Sequence, residues 1–140
     1  MRVAILTISD RASEGERADA SGPVVREAVE AHGWEVTEAA VIPDDFEAIR
    51  ATLTLWADED RADLILTTGG TGFAPRDITP EATRAVIQRE APGLPEAMRA
   101  ASLALTKHAM LSRQVAGIRG RALIVNLPGS PKAGREHLEV

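Results

Sequence analysis

The chain contains no cysteine. That absence removes zinc ribbons, thiol catalysis and disulfide frameworks, and it fits a reducing compartment. Histidine is scarce too: His32, His108 and His137 are scattered along the chain with no zinc-ligand spacing. No long apolar run exists. Met1 leads straight into Arg2-Val3-Ala4-Ile5-Leu6, which reads as a strand and is far too short for a signal peptide or a membrane span. A cytoplasmic protein without a membrane partner is therefore expected. There is no excess of positive charge either, with 16 Lys and Arg against 21 Asp and Glu and a net charge of −5. This argues against a general nucleic-acid binder, which usually shows a basic face. A small anionic ligand remains compatible, because a few local cations and helix N-termini suffice to hold one. Aromatics are few, and Phe46 and Trp56 fall on one helical stripe that reads as core packing rather than a stacking platform.

What is present describes an ordinary globular domain. The 140 residues, 44% hydrophobic and 26% charged, suit one domain over 1–140. A domain near this size buries about 68–70% of its unfolded surface, enough to hold a core without a metal staple.

The pattern alternates strand and helix. Arg2 to Ile8 is nearly all apolar, as in a buried parallel strand. A polar loop from Ser9 to Ser21 follows, and Pro23 is expected to open a helix that Gly33 ends. Trp34 to Ile42 reads as a second strand. Pro43 and Asp44 start a helix with the stripe Phe46, Ile49, Leu53 and Trp56. Asp63 to Thr67 is a third strand. After a loop, Thr79 and Pro80 look like a cap and first helical residue, and that helix should run to about Glu90. Another helix carries Leu94, Met98, Ala101 and Leu105. Gln114 to Gly117 reads as a short edge strand, Arg121 to Leu127 as a last buried strand, and Ser130-Pro131 as the start of a final helix that is still helical in pattern at Val140. Strands alternating with helices imply an α/β fold: a mostly parallel sheet with helices on both faces, in a Rossmann-like arrangement. Such sheets bind ligands at the carboxyl ends of their strands.

Several strand ends carry residues with chemistry. Thr67-Thr68-Gly69-Gly70-Thr71-Gly72 lies between a strand and a helix. Its glycines permit positive φ and close ligand approach, and its amides and hydroxyls could cradle phosphates. A plain flexible turn is the alternative. No lysine follows, so it is not a P-loop, and the third glycine of the dinucleotide fingerprint is missing. Arg76-Asp77, in the same loop, suits a phosphate contact and a Mg²⁺ ligand, or a surface ion pair. Asp44, with Glu47 three residues on, resembles a helix-capping arrangement, which is compatible with a metal ligand at a strand end. Ser9-Asp10 ends the first strand and should reach the same edge, although an Asx-type loop start explains it locally. Asn126 to Lys132 ends the last strand, where Pro128, Gly129 and Ser130 could bind an anion or simply turn the chain. Ser112-Arg113 is a polar pair open to either binding or solvent exposure. One at a time, the structural explanations mostly win. Together these strand ends converge on one edge and suggest a nucleotide-like or phosphorylated ligand with Mg²⁺.

The chain resembles the MoaB/Mog family. Thr-Ile-Ser-Asp at 7–10, Ile-Pro-Asp at 42–44, Thr-Thr-Gly-Gly-Thr-Gly at 67–72, Arg-Asp-Ile-Thr-Pro-Glu-Ala-Thr at 76–83, Leu-Ser-Arg at 111–113 and Asn-Leu-Pro-Gly-Ser-Pro-Lys at 126–132 match its pattern in order. The resemblance implies a three-layer α/β/α sandwich and a homotrimer. It implies a nucleotidyltransferase of molybdenum cofactor biosynthesis, which moves AMP from MgATP to molybdopterin and releases pyrophosphate. The product would pass to a separate molybdenum insertase. By the same resemblance Asp44 and Asp77 would be catalytic and hold Mg²⁺. Ser9, Asp10, Gly69, Gly70, Thr71, Gly72, Arg76, Ser112, Pro128, Gly129 and Ser130 would bind substrate or nucleotide. Family members commonly continue past the point matching Val140, so this C-terminus is expected to be incomplete relative to them. The alternatives are a non-catalytic molybdopterin-binding member and an insertase-type domain.

Overall fold

The computed structural model describes residues 1–16 and 18–129. The expected last helix, with Ser130, lies outside them. The elements in chain order are β1 (Arg2–Ile8), α1 (Asp10–Ser13), α2 (Ser21–Ala31), β2 (Glu35–Ile42), α3 (Phe46–Asp58), β3 (Leu64–Thr68), α4 (Thr79–Val86), β4 (Arg89–Glu90), α5 (Gly93–Leu103), a 3-10 helix (Lys107–Leu111), β5 (Ala116–Arg119) and β6 (Ala122–Leu127).

The strands form one six-stranded sheet in the order β2-β1-β3-β6-β5-β4. The first four pair in parallel, and β5 and β4 are antiparallel additions. Alternation along each parallel strand divides its side chains between two faces. Ala4, Leu6 and Ile8 of β1, with Ile65 and Ile124, pack against Ile49, Leu53 and Trp56 of α3 and Ala82 and Val86 of α4. Val3 and Ile5, with Leu66, Val125 and Leu127, pack on the other face against Val25 and Val29 of α2 and Met98 of α5. The result is the expected three-layer α/β/α sandwich. Because both faces are covered, every residue of β3 and all but the first of β1 are buried, which explains why their sequences are mainly apolar, with threonines only toward the carboxyl ends.

The register aligns the carboxyl ends. Ile8 pairs with Ile42, Thr7 with Thr68, and Thr68 with Leu127. Since β1 is flanked by β2 on one side and β3 on the other, the sheet changes winding direction at β1 and β3. A crevice forms beyond the strand ends at such a point.

Several expected elements are corrected. The loop after β1 contains α1, and α2 begins at Ser21 rather than Pro23, with Gly22 N–H donating to Asp19 Oδ1 at 2.9 Å. α3 begins at Phe46 and is capped by Asp45, whose side chain accepts from Ala48 N–H at 2.9 Å. Phe46 itself is 39% exposed and not part of the core. Thr79 is the first residue of α4 rather than its cap, and Pro80 follows it. α4 stops at Val86, because Gln88 and Ala91 donate to Ile118 and Ala116 carbonyls at 2.8 Å and the chain joins the sheet as β4. Those backbone groups are satisfied by a ladder rather than by another helical turn. β5 is Ala116–Arg119 and lies inside β4, so it is not the edge strand, and Leu105 falls beyond the end of α5. Among the described residues no helix is long and apolar enough to cross a membrane.

Candidate functional site

A cavity of about 640 Å³ opens beyond the carboxyl ends of β1 and β3. That volume is in the range of small-molecule sites. Among its lining residues are Ser9, Asp44, Gly69, Gly70, Asp77 and Gly129. Four parts of the sequence, far apart along the chain, thus meet at one opening.

Asp44 follows β2 and leans on Asp10. Its backbone N–H donates to Asp10 Oδ1 at 2.9 Å, and its Oδ2 accepts from Asp10 N–H at 3.0 Å. The capping expected of Asp44 belongs to its neighbour Asp45, so the Asp44 side chain is turned to the cavity instead. Burial raises its carboxyl above the usual aspartate range, and the charges of Asp10 and Asp77 push the same way. Asp10 behaves oppositely. Arg76 donates to its two oxygens at 2.6 and 3.0 Å and lowers its carboxyl. Arg76 also donates to the Asp44 carbonyl at 3.0 Å. The surface ion pair expected of Arg76 and Asp77 is therefore replaced by a longer-range clasp between Arg76 and Asp10, and Asp77 faces the cavity.

The glycine loop is shaped by contacts behind it. Gly69 has φ +103° and donates its N–H to Leu127 O at 3.2 Å. Gly70 has φ +71°, and a Cβ there would run into Thr79 Oγ1 and approach Asp44 Oδ1 at 3.0 Å. These two positions require glycine on conformational and steric grounds. Thr79 is fully buried, and its hydroxyl has no hydrogen-bond partner among the described residues. Asp77 closes the loop: its Oδ2 accepts from Ala74 N–H at 3.0 Å, and its N–H donates to Ala74 O at 2.9 Å.

Other expected residues are distributed differently. Ser9 caps α1 through Ala12 N–H at 3.2 Å while lining the cavity. Thr71 is buried, and Thr71 and Gly72 turn their carbonyls toward Arg113. Pro128 accepts from the Thr68 hydroxyl at 2.9 Å, which holds the Pro128-Gly129 turn beside Gly69. Ser112 lines a separate crevice of about 440 Å³ with Arg99 and Arg113, and so is not brought to the main cavity. Ser130 lies outside the described residues. Asn126, part of the matched segment, is buried and donates to Thr67 and Thr83 hydroxyls at 2.9 and 3.0 Å, so its work is in the core.

Reasoning from sequence overlooked Thr7, Asp19 and Ser21 on the opposite wall. Asp19 accepts from the Thr7 hydroxyl at 3.0 Å, and Ser21 donates its hydroxyl to the Gly129 carbonyl. The available signal was the position of Thr7 near the carboxyl end of β1 and of Asp19 and Ser21 in the polar stretch between β1 and α2.

The family model described as "probable molybdopterin binding domain" matches residues 4–140. The chain belongs to this family of molybdenum cofactor biosynthesis. It is 45% identical over 141 residues to the molybdopterin adenylyltransferase of Helicobacter pylori, covering 99% of this chain and 80% of that one. It is also 45% identical over 148 residues to gephyrin of Dictyostelium discoideum, of which it spans only 20%. Among solved structures, the molybdopterin biosynthesis enzyme MoaB from Thermus thermophilus superimposes with a TM-score of 0.93 at 54% identity, covering 99% of this chain and 87% of that one.

Proposed function

We propose that this protein is a molybdopterin adenylyltransferase, which joins the AMP of ATP to the terminal phosphate of molybdopterin. The observation that carries the reading is the pair of carboxylates, Asp44 and Asp77, facing one cavity beside the Gly69-Gly70 turn at the switch point of the sheet. The likeness to adenylyltransferases over 99% of the chain supports it.

The donor set fits Mg²⁺. Among the described residues, Oδ1 of Asp44 and of Asp77 accepts no hydrogen bond, while each Oδ2 is held by a backbone N–H. Mg²⁺ takes one or two carboxylates together with substrate phosphates and water rather than a dedicated protein cage. Among the described residues no group of three or more acidic, His or Cys side chains is placed to hold an ion alone, so substrate phosphates would have to complete the coordination. When bound, the ion would neutralise charge on the triphosphate. Asp44 and Asp77 would hold it, and the Gly69-Gly70 backbone would approach the phosphates closely.

In the reaction a phosphate oxygen of molybdopterin forms a bond to the α-phosphorus of ATP. The bond from that phosphorus to the bridging oxygen breaks, and pyrophosphate leaves with the electron pair. The nucleophile is already anionic, so no general base is needed, and positioning and charge stabilisation carry the rate. Arg76 pairs with the ionised Asp10 and braces the Asp44 backbone. We further read the protein as a cytoplasmic homotrimer that passes its product to a molybdenum insertase. Exposed Leu105, Met110 and Leu111 around the 3-10 helix offer apolar surface for such a subunit contact.

The test is a set of turnover measurements on Asp44→Asn, Asp77→Asn and the double variant. Each single change should lower turnover by about 10²–10³-fold, the usual effect of removing one electrostatic stabiliser. If both carboxylates serve one ion, the double variant is little worse than the worse single one. Near-normal turnover of Asp77→Asn would remove Asp77 from the site.

A further inference from the structure

Arg113 lies behind the glycine loop, outside the main cavity, yet it holds that loop at three points. Its backbone N–H donates to Thr71 O at 2.9 Å. Its side chain donates to Gly72 O at 2.8 Å through Nε and to Asp77 O at 2.6 Å through Nη2. The remaining donors reach the Glu81 carboxylate of α4 at 2.8 and 3.2 Å. Arg113 is itself steadied from below: Arg99 donates to the carbonyls on either side of it, Ser112 O at 3.2 Å and Gln114 O at 3.3 Å.

A side chain that is about a third exposed, with a Glu81 partner 46% exposed, gains little stability from the ion pair itself. The two backbone carbonyls are a different matter. They bracket the segment that carries Asp77, and only a planar fork of donors in fixed directions can meet both while also pairing with a carboxylate. Between those two carbonyls the chain makes a turn that the Ala74 and Asp77 hydrogen bonds close. Phe73, inside this turn, is 70% exposed and adds no packing to fix it.

We propose that Arg113 is a positioning residue for adenylyl transfer: by clamping the carbonyls of Gly72 and Asp77 to α4 it sets where the Asp77 carboxylate stands in the cavity. This rests on the reading that Asp77 takes part in the reaction. A displacement of about 1 Å at a reacting group can lower the rate about 10²-fold, so the clamp acts on turnover more than on folding.

The test uses the full chain with Arg113→Lys and Arg113→Ala, alongside Asp77→Asn. Lysine keeps the charge but offers a point donor instead of a fork. Two quantities are read. The first is turnover as a function of Mg²⁺ at saturating ATP and molybdopterin. The second is amide hydrogen exchange at Ala74 and Asp77 in metal-free protein. Both Arg113 variants should lose about 10-fold or more in turnover and need several-fold more Mg²⁺ for half-maximal rate. Exchange at Ala74 and Asp77 should quicken about 10-fold or more, while amides of β1 and β3 keep their protection. Wild-type turnover and Mg²⁺ requirement in folded Arg113→Lys, beside an inactive Asp77→Asn, would overturn the clamp and leave the role of Asp77 standing. Reduced turnover with unchanged exchange at Ala74 and Asp77 would overturn it too. Full activity of Asp77→Asn would remove the underlying reading and the clamp with it.

Discussion

At the scale of the residue, the two adjacent aspartates after β2 show how one chemistry serves two purposes. Asp45 satisfies a helix terminus, and Asp44 carries a charge that its surroundings disfavour. Because burial raises the Asp44 carboxyl, its contribution to stability is present below the ordinary aspartate range and is lost as pH rises through the raised folded value. At neutral pH the ionised form is a burden on the fold. Asp44→Asn should therefore melt at a higher temperature than the native chain at neutral pH, with the difference shrinking on acidification, even as activity collapses. A variant that melts lower at neutral pH would contradict this. Asp10 titrates in the opposite sense, because the Arg76 hydrogen bonds lower it. Carbon-detected NMR of the metal-free protein should place the Asp10 midpoint below the ordinary aspartate value and the Asp44 midpoint above it. The reverse order would mean that the Arg76–Asp10 clasp does not persist in solution. Which of the two aspartates would cap α3 was not legible from local sequence. Both sit at the right distance from the first helical turn, and the choice is settled by Asp10, 34 residues away.

Elements whose environment leaves a clear periodicity were legible, and those that depend on distant partners were not. Arg2–Ile8 was read with its exact limits and Ala122–Leu127 within one residue of its start, because both are buried strands with mainly apolar sequences. β4 was missed. Its two residues, Arg89 and Glu90, are exposed and polar, and only pairing with β5 makes them a strand. α1 was missed as a single turn inside a polar stretch. In the candidate site, the glycine loop was legible as a turn open to close ligand approach, whereas local pattern favoured a helix cap for Asp44 and a surface ion pair for Asp77, and only the family resemblance set the two aspartates together. The Arg76–Asp10 clasp and the opposite wall at Asp19 and Ser21 were not, since nothing local encodes contacts across the crevice. The corrected start of α3 gives a prediction. Asp45→Ala should lower stability by about 1 kcal/mol, the ordinary value of a helix cap, with turnover kept within about twofold, because the lost bond lies outside the cavity. Chemical denaturation with a parallel rate measurement checks both. A loss of activity as large as that of Asp44→Asn would show that the two neighbours do not divide their work in this way.

For the whole molecule, the sheet brings Asp44 and Asp77 to one crevice, while four of the exposed apolar side chains, Leu103, Leu105, Met110 and Leu111, lie along the end of α5 and the 3-10 helix. If this surface supports subunit contact, light scattering at micromolar concentration should give about three chain masses, and Leu105→Glu with Met110→Glu should yield smaller species that stay folded. A monomer over the whole concentration range would remove the proposed trimer without touching the crevice. The central claim is chemical, and one measurement reaches it directly. The protein is incubated with molybdopterin, ATP and Mg²⁺, and the pterin is examined by mass spectrometry while pyrophosphate is counted. The account predicts adenylylated molybdopterin and pyrophosphate in equal amounts, both absent when the pterin is omitted and both lost on chelation of the metal. Unmodified molybdopterin after prolonged incubation, under conditions where the protein is folded and binds the pterin, would contradict it and leave a binding domain without transferase activity.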